Sequence, residues 1–264
     1  MREIPCFQVD AFTEKPFGGN PAAVCWLEQP ADAVWMQQVA QEMNLSETAF
    51  VAPGKRHLNL RWFTPVVEVD LCGHATLATA HALWSEGLVP SDRPLVFETR
   101  SGELTCRLVD GWIELDFPAT PATPCEPPAG LFAALGAAGD WVGRSRFDLL
   151  VHYADPAVLR GLTPDFVRMK AIAARGVIVT APSDLPGVDL LSRFFAPQVG
   201  VDEDPVCGSA HCCLAPFWAG RLGKSELIAR QVSQREGHLR LRLAGDRVVL
   251  GGHARTVWRG DLLV

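Results

Sequence analysis

The chain repeats itself once, and that duplication limits its folds more than any other feature of the sequence. Residues 60–65 read LRWFTP and residues 192–197 read SRFFAP, setting Arg61 opposite Arg193 at half the length of the 264-residue chain. Upstream, AFVAP (49–53) is echoed by VIVTAP (177–182). Downstream, LCGHATLATA (71–80) is echoed by VCGSAHCCLA (206–215). Cys72 thus stands opposite Cys207, Gly73 opposite Gly208 and His74 opposite Ser209. Three blocks in the same order predict two pseudo-equivalent halves, because a solenoid would need more and shorter units.

Each half reads as strand, turn, strand, helix. TAFVA and LNLRWF in the first half, and GVIVTA and LLSRFF in the second, are rich in the apolar and β-branched residues that suit strands. Each Cys-Gly pair then opens a run of small residues. The first run is apolar all round, which predicts a buried helix at 74–86. Pro216 is expected to end or kink the second helix early. A further helix is expected at 31–43, opened by Asp32. Residues 95–117 alternate around an Asp110-Gly111 turn, a hairpin signal, and the C-terminal segment repeats the pattern. The fold class expected is α+β. Lobes are expected at 1–117 and 131–264, with a proline-rich linker at 118–130 and C-terminal strands able to cross back to the first lobe.

Composition narrows the function classes. A formal net charge of −6 and a pI near 5.6 argue against nucleic acid as a partner, which calls for a basic face. MREIPCFQVDAF lacks a signal-type apolar core, and no apolar stretch reaches membrane-spanning length. The expectation is a cytoplasmic protein with no membrane partner. Its eight cysteines are read as free thiols, as in a reducing compartment. Cys207 and His211, four apart, share a helical face, but the spacing matches no standard zinc pattern, and no metal is expected.

Two helices that begin at Cys-Gly offer unpaired N–H groups and a positive dipole end, a setting for a carboxylate and for an oxyanion that develops beside it. The glycines allow close approach. Two lobes facing each other would aim both helix starts into one cleft; tight helix–sheet packing is the alternative use of such turns. Glu47, in NLSETAFV, is the candidate base. Aligning FVAP with VTAP puts Gly176 opposite it, so the duplication carries an acid on one side only. Asp204 precedes the second helix and stands near Ser209. The pair is suited either to capping or to polarising a substrate group.

These blocks, VDAFTEKPFGGNPAAV (9–24), NLSETAFV (44–51), RWFTPVVEVDLCGHAT (61–76) and DEDPVCGSAH (202–211), resemble the phenazine-biosynthesis-like (PhzF-like) family of the diaminopimelate epimerase fold. The resemblance implies two lobes, each a curved, mostly antiparallel, barrel-like sheet around a central helix. It also implies a cofactor-free site in the interlobe cleft, a homodimer and a small carboxylate substrate. By motif it carries catalytic roles to Glu47, His74, Asp204 and Ser209. Gly73 and Gly208 fall at the carboxylate-binding helix starts. Asn20 becomes a pocket residue, although an Asn-Pro turn explains it equally well. The family usually has threonine in the place of Cys207; cysteine there restores, beside Cys72, the thiol pair used by racemases of this superfamily. Three activities are therefore weighed. The first is glutamate-based isomerisation of a small carboxylate, the second two-thiol racemisation through Cys72 and Cys207, the third carboxylate binding without catalysis.

Overall fold

Apolar runs at matching places in the two halves form inner β-strands in each. The computed structural model describes residues 3–263. Its chain divides into one unit that runs to Asp116 and resumes from Gly251, and a second formed by Phe117–Leu250. The first contains β1 (Glu3–Ala11), β2 (Asn20–Trp26), α1 (Ala33–Met43), β3 (Glu47–Pro53), β4 (Leu58–Phe63), β5 (Glu68–Val69) and α2 (Gly73–Ser85). β6 (Leu95–Thr99), β7 (Gly102–Val109) and β8 (Trp112–Pro118) follow. The second contains β9 (Thr123–Pro124), α3 (Leu131–Leu135), β10 (Trp141–Arg144), β11 (Leu149–His152), α4 (Pro156–Gly161) and α5 (Phe166–Met169). It continues with β12 (Val177–Pro182), β13 (Leu190–Phe195), α6 (Gly208–Leu222), β14 (Glu226–Gln231), β15 (Gly237–Ala244) and β16 (Arg247–Gly252), and β17 (Ala254–Leu263) belongs to the first unit.

Strand pairing repeats with the sequence. In the first unit β1–β2 is antiparallel, β2–β3 parallel, β3–β4 antiparallel, β4–β6 parallel and β6–β7 antiparallel. In the second the same order of senses runs through β10–β11, β11–β12, β12–β13, β13–β14 and β14–β15. Each parallel step needs a crossover. α1 makes one and α4–α5 its counterpart, while α2 and α6 make the other. The fold is α+β, with two pseudo-symmetric lobes of sheet and helix. β17 pairs along the whole of β1, from Glu3↔Leu263 to Ala11↔Ala254.

Helices cover both faces of the inner strands, which is why those strands read as unbroken apolar runs. Phe50 and Ala52 of β3 join Met36, Val39 and Ala40 of α1 in one cluster. Their alternating neighbours Ala49 and Val51, fully buried, project to the opposite face. α2 is buried from His74 through Ala80, as an apolar circumference predicts. α1 starts where expected, with the Asp32 carboxylate accepting from the N–H groups of Val34 and Trp35. The β7–β8 turn has φ of 50° at Asp110 and 82° at Gly111, the left-handed pair that a tight hairpin requires.

One helix differs from expectation. α6 does not stop before Pro216 but runs through it to Leu222. A proline ring removes the N–H that would bond to the carbonyl four residues back, that of Cys212. Here the Cys212 carbonyl instead accepts the N–H of Thr120 at 3.1 Å. The proline-rich segment 118–130 therefore satisfies the group that Pro216 leaves open. It is tied down at other points too, by Ala119 N–H to the Asp246 carbonyl and by β9 against β10.

Candidate active site

The first unit gathers five of the nine expected site residues around the start of α2. β2 begins at Asn20 and β3 at Glu47, in parallel neighbouring strands that pair Ala22 with Glu47. Gly19 sets up this start: its φ is +62°, and a β-carbon there would lie 2.0 Å from the Ala11 carbonyl oxygen, so no other residue fits. α2 begins beside them, with Cys72 at its N-cap, Gly73 first in the helix and His74 next. The Cys72 side chain makes no capping bond.

His74 is the hub. Its Nε2 lies 3.2 Å from Glu47 Oε2, and its Nδ1 lies 3.2 Å from Asn20 Nδ2 and 3.5 Å from Cys72 Sγ. The Glu47–His74 approach is close, yet neither atom finds an aligned hydrogen-bond partner among the described residues. The carboxylate thus keeps lone pairs available for a proton from elsewhere. Asn20 suits either charge state of the ring. Its NH2 donates to a bare Nδ1, and its oxygen, after an amide flip, accepts from a protonated one.

Burial works against charge on His74, but the neighbouring groups win and hold its pKa well above the ordinary 6.5. Burial first, and the Glu47 charge second, push the Cys72 thiol up. Cys72 first and Glu47 second supply the upward pull on the imidazole, through charge and hydrogen bonding. The ligand atoms of Glu47, Cys72 and His74 lie within 4.8 Å of one another, a grouping able to hold a metal ion, unlike the Cys207–His211 pair weighed from the sequence. His211 Nδ1 is 2.7 Å from the Cys207 carbonyl oxygen, and burial pushes its imidazole down to about 4. It is a neutral core residue of α6.

The second unit holds the other four. Cys207 is the N-cap of α6, again without a side-chain capping bond; Gly208 is buried behind it and Ser209 half-buried. Cys207 Sγ and Ser209 Oγ are 3.3 Å apart. Burial, then Asp204, raise the Cys207 pKa well above its usual value, against an opposing pull from Arg175. Asp204 Oδ1 accepts from the N–H of Val206 at 3.0 Å and shapes the turn into the helix. Each unit pins the segment leading to its helix with an arginine. Arg61 grips Glu68 through Nε and Nη2, both at 2.7 Å, and Arg193 grips Glu203 at 2.8 and 2.9 Å. The repeat marked these arginines, but their carboxylate partners stand at different spacings in the two halves and did not align. The sequence reading also passed over Arg175, which donates to Ser209 Oγ at 2.9 Å. Its signal was adjacency to Gly176, the counterpart of Glu47.

A duplicated α+β chain with a helix start, an acid and a histidine joined in this way defines a protein of the diaminopimelate epimerase-like fold. The family model of phenazine biosynthesis-like proteins (PhzC-PhzF) matches residues 9–260. The chain belongs to that family. It is 50% identical to an uncharacterized isomerase of Halalkalibacterium halodurans over 100% of both chains. It is also 50% identical to an uncharacterized isomerase of Pseudomonas aeruginosa over 98% of this chain and 99% of the relative. A PhzF-family phenazine biosynthesis protein of Enterococcus faecalis, solved by crystallography, superposes with a TM-score of 0.95 at 41% identity and covers 100% of both chains.

Proposed function

We propose that the protein is a cofactor-independent isomerase that moves a proton between two carbons of a small carboxylate, with Glu47 as base and then acid. The observation that carries this reading is the half-buried Glu47 carboxylate, whose buried Oε2 lies 3.2 Å from His74 Nε2 but is not engaged by it in an aligned hydrogen bond. In the first step a Glu47 oxygen takes a proton from a substrate C–H, and the electron pair spreads through the adjoining unsaturation. In the second the Glu47 O–H, after exchange with solvent, delivers a proton to a different carbon, so substrate and product have equal atoms and charge. A charged His74 next to Glu47 stabilises the carboxylate between turnovers and lends a donor to developing negative charge. Gly73, at a helix start without a side-chain cap, supplies an N–H group for the substrate carboxylate, and Gly208 offers the same group in the second unit. In the second unit, Ser209 and Asp204 are suited to orient polar groups of a ligand.

The two-thiol racemase is the second reading, favoured by the pseudo-equivalent places of Cys72 and Cys207. Against it, burial raises both thiols, so neither is a ready thiolate at neutral pH. Incubation in D2O with a panel of small cyclic and unsaturated carboxylates and amino acids, followed by NMR, separates the readings. Deuterium should enter a carbon-bound position of one compound. Glu47→Gln should slow that exchange about 10²- to 10⁴-fold, with Cys72→Ser and Cys207→Ser retaining it. Exchange that survives Glu47→Gln and fails in either serine variant assigns the chemistry to the thiols. Carboxylate binding without any exchange leaves a binding protein.

A further inference from the structure

Arg175 does more than neutralise a buried acid. Its Nε donates to Asp148 Oδ1 at 2.9 Å and its Nη2 to Asp148 Oδ2 at 2.5 Å, while Nη2 also donates to Ser209 Oγ at 2.9 Å. Asp148 is a rigid anchor, with its side chain only 2% exposed and its backbone N–H bonded to Ser145 Oγ. The rings of Phe147 and Phe194 flank the guanidinium at 5.0 and 5.8 Å. Nη1 makes no hydrogen bond among the described residues. The arginine is thus held in one orientation, with one edge on Asp148, one N–H on Ser209 and Nη1 still available.

The repeat gives this arrangement a meaning. His74 and Ser209 are equivalent positions, each one residue into a helix that starts at Cys-Gly. In the first unit the residue that reaches the helix start is Glu47. Its counterpart is Gly176, where a β-carbon would sit 2.4 Å from the Phe194 ring, so a side chain could issue there only if that ring moved. The residue just before it, Arg175, reaches Ser209 instead. One unit addresses its helix start with an acid, the other with a cation.

We infer that Arg175 is a positioning residue for Ser209: it occupies the serine oxygen as an acceptor, turns the hydroxyl proton outward and makes Ser209 a donor to an anionic oxygen of the ligand. A hydroxyl has one proton to give. With Arg175 donating to the oxygen, that proton goes either to the Cys207 sulfur, a weak acceptor, or to a ligand. A carboxylate oxygen displaces the sulfur readily. The inference rests on the proposed isomerase reading for its use in catalysis, but the binding it predicts stands without turnover.

The probe is benzoate, with benzamide as its uncharged counterpart, and binding is followed by ligand-observed NMR. Wild type and Glu47→Gln should both bind benzoate and discriminate against benzamide. Ser209→Ala and Arg175→Lys should each weaken benzoate about tenfold or more, the scale of a hydrogen bond to a charged group. A lysine keeps the charge beside Asp148 but lacks the fork needed to serve Asp148 and Ser209 together. Because Arg175 acts through Ser209, Arg175→Lys in the Ser209→Ala background should cost no more than about twofold further. If Arg175→Lys does not fold by thermal melting, the paired Arg175→Gln/Asp148→Asn variant removes both charges and takes its place in the cycle. Equal losses with and without Ser209, or no benzoate binding by wild type, overturn the inference. Binding with this coupling intact but no deuterium exchange on any compound would overturn the isomerase reading alone.

Discussion

At the scale of single residues, the close approach of Glu47 to His74 sets the electrostatics of the first unit's candidate site. Glu47 and His74 lie 3.2 Å apart where burial alone would keep the imidazole neutral. Cys72 and then Glu47 reverse that outcome and hold His74 above the ordinary 6.5. Titration of the His74 ring by NMR should show a raised midpoint, and Glu47→Gln should bring it down; a midpoint at or below 6.5 in the wild type would contradict this. A stability consequence has the same sign. Protonated His74 contributes fully below the unfolded-state value of about 6.5, and that contribution fades as the pH rises through the raised folded value. In Glu47→Gln the dependence should flatten. Of these site residues, Glu47, His74 and Ser209 were legible as motif positions. The Asn20 contact with His74 was not, because an Asn-Pro pair reads equally well as a turn.

At the scale of elements, most of the fold could be read and its exceptions have local causes. The strand runs around Phe50 and Phe194, the two helices after Cys-Gly and the Asp110-Gly111 hairpin all formed where periodicity and turn chemistry placed them. Pro216 was misread because its cost depends on a partner 96 positions earlier in the chain, the Thr120 N–H on the Cys212 carbonyl. No window of sequence around the proline contains that information. A buried helix interior normally loses about 3 kcal/mol to proline, yet here the orphaned carbonyl is already satisfied. Pro216→Ala should accordingly change unfolding free energy by less than about 1 kcal/mol in urea titrations, since a new N–H at 216 competes with Thr120 for one acceptor. A gain near the full proline penalty would show that the Thr120 bond contributes little.

At the scale of the whole molecule, duplication followed by divergence accounts for both what is shared and what differs. Strand senses, helix starts and the arginine–carboxylate clamps repeat. The side chains gathered at the helix starts do not, with Glu47 and His74 in one unit and Arg175 and Ser209 in the other. The sequence disclosed the repeat because backbone architecture depends on patterns that survive divergence. It hid the clamps' carboxylates and Arg175 because a side chain can reach the same point from a neighbouring position once the backbone is fixed. The central claim is that a single carboxylate, exchanging its proton with solvent, removes hydrogen from one carbon and protonates another. The most direct test takes the compound that exchanges with wild type, converts it in D2O and locates the deuterium in the product by NMR. Glutamate-based isomerisation predicts deuterium at a carbon other than the one that lost hydrogen, in a product with shifted unsaturation. Deuterium returned only to the original carbon, with inverted configuration, would contradict it.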